Sequence, residues 1–190
     1  VNAAAAGLAP NDAGFFETDE FCRTDVDGVY AVGDVAGEPM LAHKGSHEGV
    51  VAAEHAAGAN PTPATEPIPA VVFTDPEIAT AGATAEDARA DGHAVATGRM
   101  PFDANGRALT TGHADGFVRV VVDADSGVLL GAQVVGPHAS ELVGELALAV
   151  TAGIEASTVA GTVHAHPTLG EAVMEAAANA DGEAIHTLNR

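Results

Sequence analysis

Asn60-Pro-Thr-Pro-Ala-Thr-Glu-Pro-Ile-Pro69 places four prolines within ten residues. Each ring fixes φ, removes a backbone donor and biases the residue before it away from helix. Such a stretch reads as a linker or domain boundary. We assign residues 1–62 to a first region, 63–69 to a Pro-rich linker and 70–190 to a second domain.

The two pieces are patterned differently. In the first, residues 1–14 are rich in Ala and Gly and weakly patterned, Gly28–Val32 reads as a short buried strand ending at Gly33-Asp34, and His43 to about Ala57 reads as a helix stopped by Gly58. After the linker the pattern becomes antiparallel α+β. Strands are expected at Ala70–Phe73, Ile78–Ala83 and Ala94–Arg99, and Phe117–Val122 with Val128–Val135 reads as a hairpin around Asp123-Ala-Asp-Ser-Gly127. Thr84 should open a helix to about Ala90, and Pro137 should precede one that ends near Ala152 at Gly153, with Leu142, Leu146, Ala149 and Val150 on one face. A short helix should follow Ser157, and a last one should run from about Leu169 to Asn179.

Charge narrows the partners. The 190 residues carry 27 acids against 7 bases, a net charge of −20, and Lys44 is the only lysine. Such a field repels nucleic acid and anionic membranes, so neither is expected as a partner. The acids are spread along the chain over an ordinary 47% hydrophobic content, a pattern that fits a salt-rich cytoplasm, where charges are screened within a few ångströms. No apolar run approaches the ~20 residues of a membrane span, and no secretion signal is visible, so a cytoplasmic location is expected. A single cysteine, Cys22, excludes an intrachain disulfide and lies on no motif, so a structural role is expected.

The run with most chemical content is His164-Ala-His166-Pro167-Thr168-Leu-Gly-Glu171. Pro167 should hold His166 on a turn ahead of a helix, and Glu171 lies within reach to orient an imidazole and stabilise its cation. The same residues fit a helix capping box, Thr168 as cap and Glu171 reaching back, in which His166 is a surface residue. A His164/His166 metal site is a third reading, and spacing does not decide among them. His43 and His47 also stand at a metal-ligand spacing with Glu48 beside them, but the order matches no known zinc motif and no metal site is expected.

Resemblance separates these readings. His164 to Glu171, with the Ala-rich helix Ala172–Ala178, resembles the active-site signature of the dihydrolipoamide dehydrogenases, a branch of the FAD-dependent pyridine nucleotide-disulfide oxidoreductase family. Val29-Tyr-Ala-Val-Gly33-Asp34 resembles that family's second flavin motif, and Met40-Leu41-Ala42-His43 the stretch along the isoalloxazine ring. Ile68-Pro-Ala-Val-Val-Phe-Thr-Asp-Pro-Glu77 resembles the entry into the interface domain, and Gly131-Ala-Gln-Val-Val-Gly136 with Glu141-Leu142 continues in the same order. The similarity runs from about Gly14 to Ala178.

The resemblance implies a C-terminal interface (dimerisation) domain with an antiparallel sheet and flanking helices, preceded by the terminal segment of an α/β FAD-binding domain. It implies oxidation of dihydrolipoamide by NAD through FAD and a redox disulfide. His166 and Glu171 would then be the acid/base pair, serving the partner subunit of a homodimer, with His164 and Pro167 on the substrate side. Gly33, Asp34, Met40, Leu41, Ala42 and His43 would face the flavin, Asp34 taking a ribitol hydroxyl. The chain holds neither the Gly-x-Gly-x-x-Gly loops nor the Cys-x₄-Cys pair of the family. It is therefore expected to be the C-terminal part of a longer enzyme, inactive by itself, with FAD and NAD bound mainly by the remainder. Dihydrolipoamide, free or carried on a 2-oxo acid dehydrogenase complex, is the expected substrate. Glutathione-reductase-like and mercuric-reductase-like members, and a non-catalytic dimerisation module, are the alternatives. The His-Ala-His-Pro-Thr-Leu run favours the lipoamide branch, and the chain ends without the cysteine pair of mercuric reductases.

Overall fold

A computed structural model of the chain describes residues 2–64 and 67–189. Thr65 and Glu66 of the expected linker lie outside the described residues. The chain divides into two compact units, Val1–Glu66 and Pro67–Arg190.

The first unit is mostly irregular, with a 3-10 turn at Ala3–Ala6, a second at Gly33–Val35 and one long helix, α1 (Ala42–Ala56). Gly58 adopts a left-handed φ of 83° and its N–H returns to the His55 carbonyl at 2.9 Å, which ends the helix as expected of a C-terminal glycine. The strand expected at Gly28–Val32 does not form. Tyr30 makes a single antiparallel bridge to Arg23, supported by Thr24 and Ala31 N–H groups donating to Val29 and Cys22 carbonyls. Cys22 sits at a φ of 63°, outside the extended region, and so ends the would-be partner strand after one rung. The Phe21 ring stacks on His55 at 4.9 Å, and the Tyr30 hydroxyl meets His55 Nδ1 at 2.9 Å, tying this segment to α1.

The second unit is an antiparallel five-stranded sheet with helices against it. Its strands are β1 (Ala70–Val72), β2 (Glu77–Gly82), β3 (Val95–Pro101), β4 (Phe117–Asp123) and β5 (Leu129–Gly136), in the order β1-β2-β5-β4-β3. The β4–β5 hairpin pairs Phe117 with Val135 and Val120 with Ala132, with a register shift at Val121/Val122. Alternation sets the two faces. Val118, Val120, Ala132, Val134, Ala79 and Ala81 point one way into the core, where they meet Val143, Leu146 and Ala149 of α4 (Ala139–Thr151) and Val173, Ala176 and Ala177 of α6 (Glu171–Ala180). On the other face Arg99 and Arg119 are direct cross-strand partners, their guanidiniums lying over the Phe117 ring at 4.5 and 5.3 Å.

Three short α-helices and a 3-10 turn at Phe102–Ala104 also lie among the described residues of the unit. α2 (Ala85–Ala90) opens with a capping box in which Thr84 and Asp87 bond reciprocally. α3 (Gly106–Thr111) lies in a stretch without a predicted element; the Asn105 side chain caps it and left-handed Gly112 ends it. α5 (Ala156–Gly161) packs beside α6.

α6 reaches β3 through a missing side chain. A Cβ on Gly98 would lie 2.0 Å from the Ala176 carbonyl oxygen and 2.5 Å from the Ala180 nitrogen. Helix backbone rests directly on strand backbone there, which fixes the distance of α6, and of the glutamate that opens it, from the sheet.

Candidate active site

The loop between α5 and α6 carries both histidines of the His-Ala-His run, and each is held differently. His164 is nearly enclosed, its side chain 11% exposed, with Nδ1 at 2.8 Å from the Thr162 carbonyl and Nε2 at 3.0 Å from Glu145 of α4. Both partners are acceptors, so His164 braces the loop. His166, two residues on, has a side chain 77% exposed. Its Nδ1 stands 2.9 Å from Glu171 Oε1. With a carboxylate on Nδ1, the proton belongs there, and Nε2 faces outward with a lone pair.

Glu171 is the first residue of α6, and its second oxygen is also used: Oε2 accepts the Thr168 N–H at 2.8 Å. The capping box forms only by half. Thr168 Oγ1 turns away to the Ala165 carbonyl at 2.6 Å, Gly170 occupies the N-cap without a side-chain bond, and the helix opens two residues later than expected. Asn105 Nδ2 holds the Thr168 carbonyl at 3.1 Å, bracing the loop from α3. Burial pushes the Glu171 carboxyl up, but the Thr168 N–H and the His166 ring outweigh it and hold the group below its ordinary value. The carboxylate is therefore ionised at neutral pH.

One turn along α6 stands a second imidazole–carboxylate pair, which the sequence reading passed over. Glu175 is 3% exposed and accepts the N–H groups of Ile185 and His186 at 2.9 and 3.0 Å and His186 Nδ1 at 2.8 Å. Burial raises the Glu175 carboxyl, and these bonds, His186 N–H foremost, bring it below its ordinary value. The signal was present: Glu171 and Glu175 stand four apart on one helix face. Together with Asn105, Met174, His166 and His186, they line a cavity of about 70 Å³.

The residues expected to face a flavin lie in the first unit. Gly33 opens the 3-10 turn at a φ of 72°, and Asp34 beside it is exposed, its carboxylate bonded to no described residue. Met40 is 52% exposed, Leu41 is the N-cap of α1, and Ala42 and His43 form its exposed first turn. No side chain caps that helix start. An exposed carboxylate beside a helix N-terminus without a side-chain cap fits a ligand that offers hydroxyl donors at one point and an electron-rich edge at the other, as a ribityl flavin does. Glu48 is engaged within the fold, accepting the Gly33 N–H at 2.6 Å and pairing with Lys44 at 3.0 Å. His47 Nε2 is buried without a partner among the described residues. Among those residues no group of three His, Cys, Asp or Glu side chains is placed to hold a metal ion, and no helix is long and apolar enough to cross a membrane. Cys22 is buried, its thiol pushed up by burial and by Glu48, and it donates weakly to the Glu48 carbonyl at 3.7 Å. A protonated, enclosed thiol is no nucleophile.

Both the sheet with its α6 dyad and the irregular unit before it match known families. The chain belongs to the pyridine nucleotide-disulphide oxidoreductases: residues 68–177 match that family's dimerisation domain, and residues 1–49 match the model described as pyridine nucleotide-disulphide oxidoreductase. Curated relatives are dihydrolipoyl dehydrogenases, with 60% identity over 190 residues to that of Halobacterium salinarum and 60% over 186 residues to that of Haloferax volcanii. Both sources are halophiles, in keeping with the acidic composition. The chain spans 40% and 39% of the length of those two proteins. LpdA from Mycobacterium tuberculosis, 33% identical, superposes with a TM-score of 0.86 over 93% of this chain and 39% of its own. RclA, a HOCl-induced flavoprotein disulfide reductase from Escherichia coli, is 23% identical with a TM-score of 0.85 over 94% of this chain, a likeness of fold.

Proposed function

We propose that this chain is the C-terminal part of an FAD- and NAD-dependent dihydrolipoyl dehydrogenase, acting as a homodimer, in which His166 is the acid/base. The observation that carries the reading is the His166 ring, held by Glu171 at 2.9 Å through Nδ1 and open at Nε2. Nε2 accepts the proton of a dihydrolipoamide thiol as the thiolate forms and attacks a redox disulfide supplied by the partner subunit. Glu171, anchored by Thr168, keeps the ring oriented and stabilises the imidazolium that results, the role of the third member of a triad. On the return of the proton Nε2 serves as the acid. Bound FAD supplies the two-electron relay between the disulfide and NAD. Asp34 and the start of α1 bind and orient that cofactor, while its phosphate-binding loops and the NAD site belong to the rest of the enzyme.

The test is made on the full-length parent enzyme. His166→Gln should lower kcat for dihydrolipoamide oxidation by about 10²–10⁴-fold, the usual contribution of a general base, while FAD remains bound. A loss below about tenfold overturns the assignment of His166. Turnover of glutathione disulfide or mercuric ion in place of dihydrolipoamide overturns the substrate. A wild-type parent without any of these activities points to the non-catalytic dimerisation module.

A further inference from the structure

We propose that Lys44 and Glu48 are positioning residues for the flavin, an inference that rests on the FAD reading above. They clamp the turn bearing Asp34 to the N-terminal half of α1 and hold it in its binding geometry whether or not cofactor is present.

Lys44 is the only lysine among 27 acids and 7 bases, yet it is not on the surface: it is 7% exposed. Its ammonium donates to the Gly33 carbonyl at 3.2 Å and the Gly37 carbonyl at 3.1 Å, and pairs with Glu48 Oε1 at 3.0 Å. Glu48, with its side chain 13% exposed, completes the circuit by accepting the Gly33 N–H at 2.6 Å through Oε2. Both backbone groups of Gly33 are thus taken by one ion pair, and the far end of the turn is taken by the same ammonium. The backbone of α1 closes the remaining side. A methyl group on Gly45 would lie 3.2 Å from Gly33 Cα, so turn and helix touch main chain to main chain.

A buried ion pair adds little net stability over an apolar pair of the same volume. What this one supplies is direction. Asp34 has no hydrogen bond of its own to a described residue, so its carboxylate points where the Gly33 backbone sends it. That backbone is set by Lys44 and Glu48, which also belong to the helix whose N-terminus Met40–His43 opens. Every chain group assigned to the flavin in this unit is thereby referred to one rigid frame, and the cost of ordering the turn is met before binding.

The experiment uses the full-length parent enzyme in wild-type, D34N, K44M, K44R and E48Q forms, stripped of flavin and titrated with FAD by fluorescence. K44M and E48Q should each weaken FAD binding by at least about tenfold, as expected when a contact made by a charged group is lost. K44R should recover most of that loss. Amide exchange at Gly33 and Ala36 should quicken in the flavin-free K44M and E48Q proteins. In the reloaded enzymes the visible absorption bands of the flavin should move in K44M and return in K44R. A residue that only supports the fold would lower the melting temperature and leave those bands in place. If K44M does not fold, E48Q decides, since its amide oxygen still offers Gly33 an acceptor. FAD affinity within about twofold of wild type in E48Q or K44M, with D34N weakened, overturns the clamp. FAD affinity unchanged in D34N overturns the flavin reading of the turn, and the clamp's purpose with it.

Discussion

Glu171 uses its two oxygens for two purposes, orienting His166 with Oε1 and fastening the loop through the Thr168 N–H with Oε2. Helix capping and a contact with His166 were alternatives at the level of spacing, and Glu171 makes both contacts. Local sequence could place Glu171 near His166 because the two are five residues apart across a proline. It could not place Asn105, whose bond to the Thr168 carbonyl spans 63 residues, nor His186, which returns to Glu175 after a turn beyond the helix. Glu175 supports that return by accepting two backbone N–H groups and one imidazole. Removing all three acceptor contacts in Glu175→Ala should cost about 2–4 kcal/mol in denaturant unfolding. Glu175→Gln, which keeps oxygen acceptance at one position, should cost roughly half as much. Equal stability of Glu175→Ala and wild type would show that the tail is held elsewhere.

Elements in the second unit were legible because their signals are local. The alternation of Phe117–Val122 and Val128–Val135 and the Asp-Ala-Asp-Ser-Gly turn describe a hairpin, and one forms at Phe117–Asp123 and Leu129–Gly136. α3 was missed since six residues offer too little periodicity, although Asn105 and Gly112 bracket it. The strand expected at Gly28–Val32 failed on a backbone angle at Cys22, which no side-chain pattern reveals. Gly98 shows the opposite lesson. Within a strand pattern it reads as a weak point, yet its missing side chain is what admits α6. Gly98→Ala should therefore destabilise the second unit by about 3 kcal/mol or more, beyond ordinary overpacking, because the obstructing atoms are backbone. Thermal unfolding would check this, and a variant within about 0.5 kcal/mol of wild type would mean that α6 is free to shift.

At the scale of the whole molecule, charge governs the response to solvent. With 27 acids against 7 bases, self-repulsion should make the melting temperature rise with potassium chloride from about 0.1 M to about 2 M, as the screening length falls from ~10 Å to a few ångströms. Acid acts in two senses. It relieves the repulsion, but it also protonates carboxylates whose folded values are low. Asp123 is held at about 2, chiefly by the Ser126 N–H and also by the His93 ring. Glu77 is lowered too, its carboxylate accepting the Ser140 N–H at 2.9 Å. A carboxyl depressed on folding adds stability above its unfolded value near 4 and loses it as pH falls through the folded value. In high salt, where repulsion is screened, stability should thus decline from about pH 4.5 toward pH 2. Asp123→Asn should show a shallower decline over that window, and parallel curves would exclude Asp123 as a contributor.

The sequence by itself determined the β4–β5 hairpin, the helices of the second unit other than α3 and the closeness of His166 to Glu171. Each of these depends on neighbours within a few residues, where chain connectivity already limits the geometry. Only the tertiary structure decided that His164 is braced and His166 open, that Glu175 meets His186, and that the one lysine is buried against the Gly33 turn. Those outcomes depend on which polar groups lose water together, a property of packing between distant segments that no local pattern contains.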